Sequence, residues 1–148
     1  MNSEWLYLSA SQLLIQLKNG SISSRALLET YISRINVKNP AVNAVVAMNL
    51  EKARARADEA DAARARGESW GVLHGLPITI KDTFEVPDMP CTAGAPEFRD
   101  YFPKQAAAAV QRLIDEGAIV FAKTNVPLFA SDVQSYNKIY GTTNNPWN

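Results

Sequence analysis

The 148 residues contain one cysteine, Cys91, one histidine, His74, no Gly-Gly pair and no apolar run of membrane-spanning length. Each scarcity removes a class of function. A lone cysteine forms no internal disulfide, and with one histidine no Cys/His cluster of zinc-ligand spacing can be assembled, which points to a reducing compartment and to no metal. Net charge is missing too: fifteen basic residues offset fifteen acidic ones, so no overall field draws in nucleic acid, an anionic membrane or an acidic substrate. The opening "MNSEWLYLSA" has neither the basic nor the apolar stretch of a signal peptide. A soluble, cytoplasmic protein of one domain, or part of one, is the expectation from these features.

What is present is a pattern of helices and short apolar strands. In "SASQLLIQLKNG", Ser9 and Gln12 have the spacing of a capping box and Gly20 suits the left-handed position after a helix. "SSRALLETYISRINVKNP" sets Leu27, Leu28, Tyr31, Ile32 and Ile35 at helical spacing and is expected to stop before Asn39-Pro40. A valine-rich strand over 42–49 precedes a helix of strong formers ending at Gly67. Its arginines at 54, 56, 64 and 66 are interleaved with Glu51, Asp58, Glu59 and Asp61, and the helix has no aromatic residue to stack on a base, so surface ion pairs are expected rather than a nucleic-acid face.

"LPITIK", the helix "KQAAAAVQRLIDEG" (104–117) and "AIVFAK" (118–123) then form a strand, crossover and strand unit. Both strands read as apolar on both faces, which predicts a parallel pair covered on two sides. The fold class is α/β: a mixed, largely parallel sheet with helices on both faces. Long irregular loops follow each strand, where open α/β sheets place their sites. Within the first, Asp82, Glu85 and Asp88 recur every three residues, but Pro87 and the loop context favour solvated carboxylates over a hard-metal site. His74 reads as a structural loop histidine, and Cys91 has no assigned role.

Lys81, at the end of "LPITIK", has two readings. Its stem can pack on the core while the ammonium reaches water or a neighbour such as Asp82. Alternatively it is a catalytic base. A lysine in water is neutral in about one molecule in a thousand near pH 7.4, and burial against the walls supplied by "LPITI" and the Ala-rich helix would raise that fraction.

"GVLHGLPITIKD", "MPCTAGAPEFRDY", "GAIVFAKTNVPLFA" and "YGTTNNPWN", in that order and spacing, resemble the first part of the amidase signature family, serine hydrolases of carbon–nitrogen amide bonds. The resemblance covers nearly the whole chain, so residues 1–148 are expected to be the N-terminal part of one such domain. It implies that Lys81 is the catalytic base. The family mechanism adds an attacking serine and a second serine in a cis peptide bond that relays the proton, with backbone N–H groups holding the oxyanion; no cofactor is implied. The resemblance makes Thr124 and Asn125 of "KTN", with Asp82, braces of the site, and aligns Ala130 with a loop whose backbone contacts the substrate amide.

The chain departs from the family pattern at its serines. In the family they lie in and after a Gly-Gly-Ser-Ser-Gly-Gly block that follows closely on "NPWN", where this sequence stops. The adjacent pair Ser23-Ser24 sits at a helix start, and Ser131 and Ser135 align with the substrate-side loop. The resemblance implies an amidase acting on small carboxylic or aryl amides, to which these residues supply the lysine but no nucleophile. Two rivals stand beside it: the amidase-like subunit of glutamyl-tRNA(Gln) amidotransferase, and a truncated, non-catalytic remnant that binds another chain. A sheet cut off partway also predicts association through an uncovered edge.

Overall fold

The computed structural model describes residues 3–147. A 3-10 turn over Ser3–Tyr7 leads into α1 (Ala10–Asn19), whose capping box forms as expected: Ser9 Oγ accepts from Gln12 N, and Gly20 closes the helix at φ 78°. Next, α2 runs over Ser24–Val42, past the expected stop, with Pro40 inside it. The missing Pro40 N–H costs one bond in the last turn. Asn39 offsets it by accepting from the N–H groups of Ala44 and Val45 at 2.8 Å each and donating to the Val45 carbonyl at 2.8 Å.

The strands are β1 (Val45–Met48), β2 (Pro77–Lys81) and β3 (Ile119–Thr124), in the order β1-β3-β2. As expected, β2 and β3 are parallel; β1 joins β3 antiparallel, so the sheet is mixed. One helix, α3 (Leu50–Ala65), follows β1, and another, α4 (Ala108–Asp115), forms the crossover. The crossover helix is shorter than its alanine run suggests. Its N-terminus is pinned where Ala107 N donates to the Glu85 carbonyl at 3.0 Å, and no side chain caps it earlier.

On one sheet face, α3 presents the buried stripe Ala53, Ala57 and Ala60, whose small side chains let it lie close to Leu28 and Ile32 of α2 and to Ile119 and Phe121 of β3. On the other, α4 covers Ile80 with Val110, helped by Val86 and Met89 from the loop after β2. Helices on both faces thus agree with the expected class. Residues 136–137 and 141–142 add a small hairpin, β4 and β5.

Two arginines of α3, Arg54 and Arg56, face carboxylates. Arg54 makes a two-pronged contact with Glu29 (2.7 and 3.0 Å), Arg25 bridges Glu29 and Asp58, and Arg56 pairs with Glu59 while stacking over Trp70. The carboxylate of Asp61 caps α2 by accepting from the N–H groups of Ser24 and Arg25, where the helix dipole favours negative charge. Arg54, and after it Arg25, hold the Glu29 carboxyl at about 2, against the opposing effect of its partial burial. A carboxyl depressed by folding stabilises the native state fully above its unfolded value and loses that contribution as pH falls from about 4.5 towards 2. The expected outcome is a urea midpoint that drops between pH 5 and pH 2.5, with Glu29→Gln removing about 1 kcal/mol at pH 7 and flattening that part of the profile.

Candidate active site

The C-terminal ends of β2 and β3 place five residues of interest within one turn of each other: Lys81, Asp82, Lys123, Thr124 and Asn125. Lys81 is paired in register with Thr124, and Ile80 with Lys123. A bulge at Phe121 on β3, between the pairs Ile78–Val120 and Thr79–Ala122, shifts the register. Because β2 is an edge strand, it alternates rather than being apolar on both faces: Ile80 is buried beneath α4, while Thr79 and Lys81 are exposed. The apolar walls expected around Lys81 are therefore absent. Alternation turns its side chain away from Val110 and α4, and among the described residues no hydrogen bond or ion pair engages its ammonium group. Thr79 and Thr124 line a groove of about 320 Å³ with Tyr31, Ile35, Val45, Pro77 and Phe121.

Asp82 does not pair with Lys81. It is fully buried, and its carboxylate accepts from the Thr92 N–H (3.3 Å) and the Thr92 hydroxyl, and lies 3.4 Å from Lys123 Nζ. Its backbone joins the loop after β2 to the end of β3: Asp82 N donates to the Thr124 carbonyl, and its carbonyl accepts from Ala93 N of the same loop, both at 3.0 Å. Lys123 is the residue that reasoning from the sequence missed. It is 0 % exposed and donates to the carbonyls of Phe84 (2.7 Å) and Pro90 (3.0 Å). Its signal was a lysine at the end of an apolar strand, the same signal that singled out Lys81.

Asn125 is buried and joins β3 to the closing hairpin. Its amide donates to the Gly141 carbonyl and Thr143 Oγ1, and its oxygen accepts from Val126 N and Asn137 Nδ2. Thr124, half-buried, contributes its carbonyl to Asp82 and its side chain to the groove wall. Ala130 ends a 3-10 turn over Leu128–Ala130 in which Phe129 and Ala130 both have left-handed backbone (φ 48° and 56°). Ala93, also left-handed at φ 49°, accepts from Phe129 N through its carbonyl at 2.7 Å. Such conformations cost non-glycine residues about 1–3 kcal/mol each and cluster at functional sites. Here they mark where the loops after β2 and β3 meet.

Other candidates are engaged elsewhere. His74 Nδ1 accepts from Trp70 N and Nε2 meets the Ala60 carbonyl, which uses both ring nitrogens structurally. Burial pushes the Cys91 thiol up, away from the thiolate a nucleophile needs. Ser131 Oγ donates to the Leu128 carbonyl within its own turn. Glu85 accepts from the Tyr101 hydroxyl and Asp88 pairs with Lys52. Among the described residues no group of three or more His, Cys, Asp or Glu side chains is placed to hold a metal ion, and no helix is long and apolar enough to cross a membrane.

A family model described as Amidase matches residues 26–148. The chain belongs to the amidase family. Over 133 residues it is 38% identical to a glutamyl-tRNA(Gln) amidotransferase subunit of Synechococcus sp. (strain CC9902), a match that covers 90% of this chain and 27% of that protein. Over 131 residues it is 37% identical to the indoleacetamide hydrolase of Bradyrhizobium diazoefficiens, covering 88% and 25%. Among solved structures, native peptide amidase from Stenotrophomonas maltophilia superposes with a TM-score of 0.89 at 28% identity, over 97% of this chain and 31% of that one. The chain thus spans about a quarter to a third of the length of these relatives.

Proposed function

We propose that these residues are the base-bearing part of an amidase that hydrolyses small carboxylic or aryl amides. Lys81 draws the proton from a serine outside residues 1–148. The observation that carries this reading is the contrast between the two lysines at the mouth of the sheet: Lys123 is buried and bound by a carboxylate and two carbonyls, whereas the ammonium of Lys81 is unengaged beside the Thr79/Thr124 groove. Lys123 Nζ is held by two carbonyls and an ion pair, whereas the nitrogen of Lys81 is open to a serine hydroxyl brought to it by the rest of the protein.

In the reaction so proposed, a serine attacks the amide carbon and the cis-bonded serine passes the attacking hydroxyl's proton to the Lys81 amine; the proton returns to the leaving nitrogen as the C–N bond breaks, and water, deprotonated the same way, frees the acid from the acyl-serine. The strained Ala93, Phe129 and Ala130 backbone borders the space where an amide would lie, and Ala130 contacts it through its main chain. Asp82, Thr124 and Asn125 hold the loop and strand ends that carry Lys81.

The amidotransferase component stands as the second reading, supported by the 38% identity to the Synechococcus protein. The test is a fusion in which this chain is continued by the corresponding remainder of the peptide amidase from Stenotrophomonas maltophilia, assayed with benzamide and with glutamine. Turnover of benzamide without glutamine supports the hydrolase, glutamine turnover favours the amidotransferase component, and a folded fusion inert to both sinks the enzymatic reading.

A further inference from the structure

A buried lysine serves no obvious purpose in a protein with an adequate apolar core, because desolvating an ammonium is expensive and a hydrophobic residue of similar size often stabilises as well. Lys123 is 0 % exposed, and its ion-pair partner Asp82 is equally buried. Neither is short of partners: Nζ reaches the Phe84 and Pro90 carbonyls and Asp82, while Asp82 takes up Thr92. All four partners lie in the loop that begins at the residue after Lys81. The same loop closes a turn on Lys81 itself, whose carbonyl accepts from Phe84 N at 3.0 Å. Phe84 is thus held at both ends: its N–H fixes the Lys81 carbonyl and its own carbonyl is fixed by Lys123.

From this sharing we infer that Lys123 is a positioning residue. Its ammonium, anchored in β3 and bound to Asp82, Phe84 and Pro90, locks the turn over residues 81–84 and so sets the direction in which Lys81 leaves the edge strand. The inference rests on the reading of Lys81 as the base. A hydrophobic side chain at 123 could fill the same volume but could not hold two carbonyls that point inwards, because it has no donor to offer them. The specificity is geometric: two hydrogen bonds and one ion pair from a single nitrogen fix three points of a loop that has little regular structure of its own.

The measurement is NMR on the 148-residue chain. Unaltered, it gives a slowly exchanging lysine ammonium cross-peak, as only a buried, bonded ammonium does. The peak persists in Lys81→Met and vanishes in Lys123→Met. Lys123→Met alone strands a buried carboxylate and is expected to unfold the loop or more. Asp82→Asn/Lys123→Met removes both charges and keeps the fold. In that double variant, backbone order parameters at residues 81–84 fall from about 0.85 to below about 0.6, even though the core amides of β3 stay protected.

A pair that merely stabilises would leave those order parameters unchanged once the charges are gone, and that result overturns the inference. So does the lack of any slowly exchanging ammonium peak in the unaltered chain. Because no turnover is read, failure here leaves the assignment of Lys81 as base standing. Turnover unaffected by Lys81→Met in the fusion would instead remove the base and leave the clamp measured but without a catalytic group to aim.

Discussion

Lys81→Met in the fused amidase lowers kcat for a simple amide by about 10²- to 10⁴-fold, the range that a positioned general base contributes, with KM changed by less than about threefold. Methionine keeps the length and apolar stem of lysine but cannot accept a proton, so what is lost is the step that activates the serine. In the 148-residue chain Lys81 is exposed. With no partner engaging its ammonium among the described residues and with Ile80, not Lys81, packed under α4, the substitution leaves no buried group stranded. Thermal unfolding of the 148-residue chain should shift by no more than the equivalent of about 0.5 kcal/mol, as for surface substitutions in general. Lys81→Arg discriminates further: arginine retains the charge but does not deprotonate in proteins, so turnover stays low. Full activity in either variant would show that Lys81 is not the base.

The second large effect concerns stability. Lys123→Met is expected to cost about 3–5 kcal/mol, because it leaves Asp82 charged, buried and without its cation. Against a typical domain stability of about 5–15 kcal/mol, that is enough to unfold a good part of the chain at 37 °C. Adding Asp82→Asn should recover most of the loss, since the amide still accepts from Thr92 and no buried charge remains unpaired. Urea titrations of the two single variants and the double variant close a thermodynamic cycle. Equal losses in the double variant and in Lys123→Met would mean that the carbonyls of Phe84 and Pro90, and not Asp82, account for the requirement.

In the proposed reading, stability and catalysis divide between two lysines that reach the same end of the sheet. The division bears on how the site is held. Among the described residues β2 pairs with β3 alone, and the loop after Lys81 is secured from β3. The Lys123 clamp, the Asp82 backbone bonds to Thr124 and Ala93, and the Phe129 bond to Ala93 supply that security from β3 and its own loop. Asn125 does the equivalent for the hairpin over residues 136–142, joining it to the strand end through hydrogen bonds with Asn137, Gly141 and the adjacent Thr143.

Much of this was legible in the amino-acid sequence where the determinants are local. The Ser9/Gln12 box and Gly20 bracket α1 because capping is settled within four residues of the helix end. The apolar runs at 77–81 and 119–124 are strands, and the helix between them makes the connection parallel. Four ordered blocks pointed to the amidase family, which residues 26–148 match. Only the tertiary structure decided which lysine is buried. "TIKD" and "FAKT" are nearly the same message: an apolar strand that ends in lysine. Their fates differ because β3 is flanked by two strands and β2 by one, and because a bulge resets which side chains share a face. Burial depends on neighbours supplied from far along the chain. Residue 82 from the first loop and residue 123 from the last strand become an ion pair only when the sheet brings them together, and no local pattern in either segment carries that information.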